Sequence, residues 1–133
     1  MLVKDIMKTD VKTTSSLTTV KKAAEIMSEN DIGCLLIVDD VLKGIITERD
    51  MVKRVVAAGL DVRKTRISRV MTKHVFFVSP DDDLHKTINI MTSRHVKRLP
   101  VIYANEVVGI ITFTDIIESQ PKIIQEIYRS RFI

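Results

Sequence analysis

The sequence predicts an α+β fold in which two tandem repeats, each with the order β-α-β-β-α, pack about a pseudo-two-fold axis. The segment that starts at Val3, VKDIMKTDVKTTSS, aligns with the segment that starts at Ile67, ISRVMTKHVFFVSP, at a shift of 64 positions. Further along, GIIT at Gly44 aligns with GIIT at Gly109, and the shift is 65 because the intervening turn is one residue longer. A half of roughly 60 residues buries little surface alone, so the two halves are expected to fold as one unit.

The repeat also sets the expected domain boundaries. The first repeat is placed at residues 1–60, a linker at 61–66, the second repeat at 67–120 and a C-terminal helix at 121–133, all within one integrated module. The polar stretch from Asp61 to Thr65 is expected to connect the halves.

The first half shows its expected elements in order. Val11 to Thr14 is predicted as the first strand, and apolar residues then recur with helical spacing at positions 20, 23, 24 and 27. The runs CLLIV and KGIIT, separated by Asp39 and Asp40, predict a hairpin. Met51 to Ala58 predicts a helix that ends at Gly59, a residue suited to the left-handed position after a helix.

The second half repeats this order with a different helix start. Ser79 is predicted to cap the helix, Pro80 to occupy its first position, and Asp81 to Asp83 to place negative charge at the positive end of the helix dipole. The runs LPVI and VVGIIT, separated around Ala104 and Asn105, predict the second hairpin.

The segment after Pro121, KIIQEIYRSRFI, has apolar residues at 123, 124, 127 and 128 and therefore one apolar helical face. Packing into the core, extension of a dimer contact and docking of another protein all remain open for this face.

Composition and charge exclude several classes of protein. The chain has 133 residues, of which 45% are hydrophobic and 29% charged, as in an ordinary globular domain. Its longest nearly apolar stretch, Ile32 to Val38, is far shorter than the roughly 20 residues that a spanning helix requires, and the N-terminus has no signal-peptide core, so a cytoplasmic protein without a membrane partner is expected. The formal net charge of +4 comes without dense basic runs or interleaved aromatic residues, which argues against nucleic acid as a partner.

Cysteine and histidine give no sign of a metal or catalytic site. Cys34 cannot form an internal disulfide alone, and its place in CLLIV favours a buried structural thiol. His74, His85 and His95 lack the spacing of metal ligands or of a catalytic triad and are expected at the surface. We therefore expect no metal and no catalytic cofactor.

Two copies of one motif carry a resemblance to a known family. Each half contains glycine, two apolar residues, threonine, two variable residues and aspartate, as GIITERD (Gly44 to Asp50) and GIITFTD (Gly109 to Asp115). DIM and RVM precede the first strands, and RLPVI precedes the second hairpin, where the first half has CLLIV without proline. In these features the chain resembles the CBS-domain family, whose tandem pairs are called Bateman modules. The resemblance implies a stand-alone regulatory module that binds an adenosine nucleotide and catalyses nothing.

The chemistry of the motif is consistent with that implication. A Thr hydroxyl and an Asp carboxylate three residues apart, where a strand turns into a helix, would face one cleft beside free backbone N–H groups. The carboxylate can accept hydrogen bonds from both ribose hydroxyls, while the threonine and the helix N-terminus can serve a phosphate oxygen. The alternative is an ordinary capping box, since Thr-x-x-Asp also satisfies backbone donors at a helix start.

The resemblance implies two ligand clefts, each built across the pseudo-two-fold axis. In the first, Thr47, Arg49 and Asp50 are bordered by Met71, Val96, Lys97 and Arg98. In the second, Thr112, Thr114 and Asp115 are bordered by Thr9, Ile32, Gly33 and Cys34. The first cleft has three cationic side chains for a phosphate, whereas the second offers close backbone approach without a cation, so weaker or different binding is expected there. Lys97 and Arg98 also have a simpler explanation, as cations at the negative end of a helix.

Two functions follow, of which ligand sensing is preferred. An adenosine nucleotide of the AMP, ADP or ATP type would bridge the halves and change how the module contacts an unidentified effector protein or a second copy in a homodimer. The alternative is a protein-interaction or dimerisation module whose nucleotide clefts are vestigial. An enzyme is disfavoured because no histidine or lysine is evidently placed to activate Thr47.

Overall fold

The computed structural model describes the backbone of residues 1–132 and their side chains except those of residues 127, 128 and 130–132. It divides into two compact units. The first unit is Lys12–Val75, and the second unit combines Met1–Val11 with Phe76–Ile133. The helices are α1 (Val3–Ile6), α2 (Val20–Glu29), α3 (Glu48–Asp50, continued by Met51–Val56), α4 (Leu84–Arg94), α5 (Phe113–Ser119) and α6 (Pro121–Phe132). The strands are β1 (Thr13–Thr14), β2 (Cys34–Val38), β3 (Leu42–Thr47), β4 (Arg98–Tyr103) and β5 (Glu106–Thr112).

The Lys12–Val75 unit is a three-stranded sheet covered by helices. The strand order is β1-β2-β3, with β1 parallel and β3 antiparallel to the central β2. Helix α2 begins after Thr19, whose hydroxyl accepts a hydrogen bond from the Lys22 N–H. Its buried face, Val20, Ala23 and Met27, packs in one cluster with Leu35, Ile37 and Ile46 of the sheet, so the unit has its own apolar core.

The other unit repeats this plan with a shorter sheet. Strands β4 and β5 form an antiparallel hairpin, and Val78 adds a single parallel bridge to Val101 where β1 lies in the first unit. Buried residues of α4, the hairpin and α5 form the core: Leu84, Ile88, Met91, Leu99, Val101, Ile111 and Ile116. Both hairpins therefore match the prediction.

The sequence repeats and the compact units divide the chain differently. The N-terminal residues up to Val11 belong to the unit of the second hairpin, while the equivalent segment from Ile67 to Val75 belongs to the unit of the first hairpin. The stretch predicted as a polar linker is also part of the first unit, because Thr65 is 6% exposed and its carbonyl accepts a hydrogen bond from the Val20 N–H.

Two glycines allow these N-terminal segments to cross the hairpins closely. Met7 and Lys8 run beside β5, where Lys8 and Ile110 exchange two backbone hydrogen bonds of 2.9 Å. A Cβ on Gly109 would lie 2.8 Å from Met7 Sδ and 2.9 Å from the Lys8 carbonyl oxygen. Met71 and Thr72 cross Gly44 in the same way, with the Thr72 carbonyl oxygen 2.8 Å from where its Cβ would lie. We call Met7–Lys8 and Met71–Thr72 the flanking segments.

The predicted start of the fourth helix is wrong. Helix α4 begins at Leu84, and Asp83 caps it by accepting a hydrogen bond from the His85 N–H. Ser79 instead belongs to a preceding turn, where its own N–H donates to Asp82 Oδ2 at 2.8 Å. The local signals fit either site, and in the structure the helix that starts at Leu84 has Leu84 and Ile88 in the core.

The remaining helix predictions hold with small changes. Helix α3 is continued by wider turns in which the Ala57 N–H donates to the Val52 carbonyl oxygen, and Gly59 has the left-handed conformation expected there, with φ of 70°. The first strand contains only Thr13 and Thr14 of the predicted four residues.

The C-terminal helix α6 uses part of its apolar face in the core, because Ile123 is 7% exposed and belongs to the second unit's cluster. The predictions for positions 127 and 128 concern side chains that lie outside the described part of the structure. Across the described part of the chain, no helix has the length and apolar character needed to cross a membrane.

Candidate functional site

The first Thr-x-x-Asp motif lies where β3 turns into α3. The Thr47 N–H donates to Asp50 Oδ2 at 3.0 Å, and the Asp50 N–H donates to Thr47 Oγ1 at 3.2 Å. These two bonds form a complete capping box, as the alternative interpretation of the motif requires. The second carboxylate oxygen of Asp50, Oδ1, takes no part in the box.

The second motif has the same arrangement where β5 turns into α5. The Thr112 N–H donates to Asp115 Oδ2 at 3.3 Å, and the Asp115 N–H donates to Thr112 Oγ1 at 3.1 Å. The side chains of Asp50 and Asp115 are 17% and 12% exposed, so both carboxylates are largely desolvated. The two motifs therefore present one equivalent carboxylate oxygen each.

Sequence reasoning did not identify the cations beside these oxygens. In the Lys12–Val75 unit, Arg54 Nη2 lies 3.4 Å from Asp50 Oδ1, while Arg54 Nη1 donates to the Val70 carbonyl oxygen at 2.8 Å and to Thr72 Oγ1 at 3.0 Å. The arginine thus connects the motif to its flanking segment. The sequence signal that could have identified Arg54 is its spacing of four residues from Asp50, because residues at this spacing are neighbours on a helix.

In the other unit the cation comes from the flanking segment itself. Lys8 Nζ lies 3.4 Å from Asp115 Oδ1, and the Lys8 side chain is 67% exposed. Lys8 aligns with Thr72 in the repeat, so the two units place different residue types at one equivalent position. The expectation that the Asp115 site lacks a cation is therefore wrong, because a residue 107 positions away in sequence supplies one.

The predicted site residues divide between the two units. Ile32, Gly33, Cys34, Thr47, Arg49, Asp50 and Met71 lie in the Lys12–Val75 unit, and Thr9, Val96, Lys97, Arg98, Thr112, Thr114 and Asp115 lie in the other. Each unit brings its motif close to the start of its own hairpin. The Gly33 carbonyl oxygen accepts from the Glu48 N–H at 3.0 Å, and the Lys97 carbonyl oxygen accepts from the Phe113 N–H at 2.8 Å.

The strand pairings extend these contacts. Cys34 is paired with Thr47 across β2 and β3, and Arg98 is paired with Thr112 across β4 and β5. Met71 packs beneath Gly44, at the strand that leads to the first motif. The predicted grouping of each motif with the hairpin of the opposite half joins residues of different units and stays a prediction.

The histidines and the cysteine lie in other environments. Cys34 is a buried cysteine. His85 Nε2 lies 2.8 Å from Glu126 Oε2, and this hydrogen bond, with a further contribution from Asp83, raises the pKa of His85. The described residues contain no group of three or more His, Cys, Asp or Glu side chains able to hold a metal ion.

Comparison with known proteins supports the family resemblance. The model of the CBS domain matches residues 3–57 and 67–122. The CBS domain-containing protein YhcV of Bacillus subtilis (strain 168) is 34% identical over 119 residues, which cover 89% of this chain and 84% of the relative.

Two solved structures are similar along most of their length. The CBS domain pair of protein MJ0100, in complex with 5′-methylthioadenosine and S-adenosyl-L-methionine, is 31% identical, with a TM-score of 0.81 and coverage of 92% of this chain and 97% of that chain. A hexameric CBS-CP12 protein from bloom-forming cyanobacteria is 28% identical, with a TM-score of 0.83 and coverage of 92% and 74%. With its two matched domains and its duplicated motif, this chain belongs to the CBS-domain family as a CBS domain pair.

Proposed function

We propose that this protein is a regulatory module that binds an adenosine nucleotide at its Thr-x-x-Asp motifs and catalyses no reaction. Membership of the CBS-domain family supports a regulatory module that binds a small ligand. The proposal that the ligand is an adenosine nucleotide rests on one observation. Each motif holds a largely buried carboxylate, and one oxygen of that carboxylate takes no part in the capping box.

The geometry of that oxygen suits a ribose. Asp Oδ2 accepts the hydrogen bond from the threonine N–H, whereas Oδ1 lies 3.4 Å from a side-chain cation in each unit. An ionised carboxylate oxygen has room for more than one donor, so ribose hydroxyls can donate to Oδ1 without breaking the capping box. A hydrogen bond to a charged acceptor is about twice as strong as a neutral one, and this strength offsets the loss of water from the ribose hydroxyls and the carboxylate.

The choice of adenosine follows from the relative and from the resemblance. 5′-Methylthioadenosine and S-adenosyl-L-methionine, which occupy the structure of the MJ0100 pair, share the adenosine group and differ in the rest of the molecule. For this chain we rank AMP and ADP before ATP as the expected ligand, and S-adenosyl-L-methionine is the alternative ligand.

The absence of catalysis is also a proposal. Each motif threonine accepts a hydrogen bond from a backbone N–H, an arrangement that caps a helix, whereas an activated nucleophile needs a neighbouring base. Incubation with adenine nucleotides followed by chromatography should return them unchanged. Turnover that is lost in Asp50→Ala or Asp115→Ala would overturn this part of the proposal.

Thermal unfolding with AMP, ADP, ATP, S-adenosyl-L-methionine and GTP tests the binding. A ligand at about 100 times its Kd stabilises the folded state by about 2.7 kcal/mol, which is a clear shift in Tm. We expect shifts with adenosine compounds that are reduced in Asp50→Ala and in Asp115→Ala.

The control for these variants is Thr19→Ala, which removes a helix cap away from the motifs. It should lower the Tm of the free protein, as the loss of a cap does, while the ligand-induced shift stays as in the wild type. If no adenosine compound shifts the wild-type Tm, the sensing function fails and the vestigial-cleft alternative takes its place.

An exposed apolar stripe favours self-association as the output. Val52 and Val56 lie one helical turn apart in the continuation of α3 and are 61% and 74% exposed. A second copy of the chain would cover them in a homodimer, and the same helix carries Arg54, which contacts Asp50, so a ligand at this motif would be linked to the contact. The proposal also includes a cytoplasmic location and an unidentified effector protein as a second possible target of the signal.

Light scattering of the wild type and of Val56→Asp tests the homodimer. Leu17→Asp is a matched control, because Leu17 is 65% exposed on a loop of the same unit. We expect a dimer for the wild type and the control, and a monomer for Val56→Asp. A monomeric wild type would refute the homodimer.

A further inference from the structure

The two motifs are equivalent in backbone geometry but not in the charge around them. Beside Asp115, the flanking segment brings the Lys8 ammonium to 3.4 Å from the carboxylate, and the start of the hairpin adds Lys97 and Arg98, whose backbones contact the motif. All of these residues belong to one compact unit. A motif in this setting favours an anion.

The equivalent positions around Asp50 carry no charged side chain. Thr72 replaces Lys8, and Gly33 and Cys34 replace the two cations that precede and begin β4. The cations of this motif, Arg49, Lys53 and Arg54, lie along its own helix together with Glu48. An anion at this motif therefore meets no cation from the flanking segment or from the start of the hairpin, and Glu48 adds a carboxylate beside it.

The cations also differ in how many of their donors are already used. Arg54 is held by Asp50, the Val70 carbonyl oxygen and Thr72 Oγ1, which fix it on the flanking segment. The Lys8 ammonium has three N–H donors, approaches Asp115 at 3.4 Å and is otherwise exposed. Lys8 can therefore contact a bound phosphate while its backbone stays fixed by two hydrogen bonds to Ile110.

We propose that the two motifs select different adenosine ligands: the Thr112–Asp115 motif binds a 5′-phosphorylated adenosine through Lys8, and the Thr47–Asp50 motif binds an adenosine derivative without phosphate. This inference rests on the proposed function and narrows it, because it assigns the nucleotide to one motif and a phosphate-free adenosine derivative to the other. Lys8 is then the specificity-determining residue, because removing it takes a cation from the phosphate and also leaves Asp115 to repel that phosphate.

Calorimetric titration with AMP and with adenosine tests the assignment, since the two ligands differ only by the phosphate. In Lys8→Gln we expect the Kd for AMP to rise about tenfold, equivalent to about 1.4 kcal/mol. Adenosine should bind this variant as it binds the wild type. Asp115→Ala should lose AMP binding, and Asp50→Ala should keep AMP and lose adenosine.

Lys4→Gln is the matched control for loss of one positive charge. Lys4 lies in the same N-terminal segment, but its ammonium pairs with Asp81 rather than with a motif residue. We expect wild-type affinity for both ligands in this variant. Lys8 is exposed, so its substitution should leave the circular dichroism spectrum and the Tm of the free protein unchanged.

Three results would overturn the inference. Wild-type affinity of Lys8→Gln for AMP would remove Lys8 from the site, and equal weakening by Lys4→Gln would reduce the effect to overall charge. Loss of AMP binding in Asp50→Ala, but not in Asp115→Ala, would reverse the assignment. Failure of the wild type to bind AMP, adenosine or 5′-methylthioadenosine is a separate outcome, because it overturns the proposed function together with the inference.

Discussion

The close crossing of the flanking segment over Gly109 predicts that Gly109→Ala destabilises the fold. The added Cβ would lie 2.8 Å from Met7 Sδ, 2.9 Å from the Lys8 carbonyl oxygen and 3.1 Å from Met7 Cγ. The methionine side chain can move away because it is unbranched and flexible. The carbonyl oxygen cannot move without its backbone, because both the N–H and the carbonyl group of Lys8 are hydrogen-bonded to Ile110.

The cost follows from what must shift. Inserting a methyl group into a close-packed interior costs about 1–3 kcal/mol through displaced neighbours. Weakening the two Lys8–Ile110 hydrogen bonds adds to this, at about 0.5–1.5 kcal/mol for each bond that is lost. We therefore expect Gly109→Ala to lower the free energy of unfolding by about 2–4 kcal/mol.

Urea unfolding followed by circular dichroism measures this change, and a double-mutant cycle with Met7→Ala identifies the contact responsible. If the carbonyl oxygen is the obstacle, shortening Met7 should recover little of the stability lost in Gly109→Ala. Gly59→Ala is the comparison, because nothing lies within 4 Å of its Cβ and only its φ of 70° opposes a side chain; its expected cost is about 1 kcal/mol. A Gly109→Ala protein as stable as the wild type would refute the steric argument.

Three further predictions concern the hairpin turn, acid stability and His85. Ala104→Asn should stabilise the protein by about 0.5–1 kcal/mol in urea unfolding, because Ala104 has φ of 51° in an exposed turn where asparagine is tolerated better; a loss of stability would contradict this. The hydrogen bond from the Ser79 N–H lowers the pKa of Asp82, so its contribution is present above the ordinary aspartate pKa and is lost as pH falls through the folded value. Asp82→Asn should accordingly flatten the acid limb of a stability–pH curve, and an unchanged limb would count against it. The hydrogen bond to Glu126 raises the pKa of His85, so the stability from this pair is present at low pH and is lost as pH rises through the raised value; an NMR titration should show a lower pKa in Glu126→Gln, and an unchanged pKa would dismiss the contact.

Local patterns predicted the secondary structure well where only one arrangement buried the apolar residues. Alternating and continuous apolar runs around short polar turns specified both hairpins, and the left-handed Gly59 was expected from its place after a helix. The start of α4 was predicted wrongly because Ser79 and Asp83 both offer good caps. In the structure Ser79 is held in a turn by Asp82, and Asp83 caps the helix, a choice that the residue types alone did not decide.

Prediction from the sequence was limited in the same way at the candidate site. The duplicated motif identified Thr47, Asp50, Thr112 and Asp115, and their capping geometry follows from a spacing of three residues. Lys8 could not be found in this way, because its contact with Asp115 depends on which unit the N-terminal segment joins. The aligned segment from Ile67 joins the other unit, where Thr72 serves Arg54 instead.

The sequence by itself determined the repeat, the hairpins, the motif and the family, because each of these is written in residues that are neighbours along the chain or recur at a fixed distance. Only the tertiary structure decided which cation accompanies each motif carboxylate. The physical reason is that charges act through space: Gly109 lets a distant segment approach within hydrogen-bonding distance, and Lys8 reaches Asp115 from there.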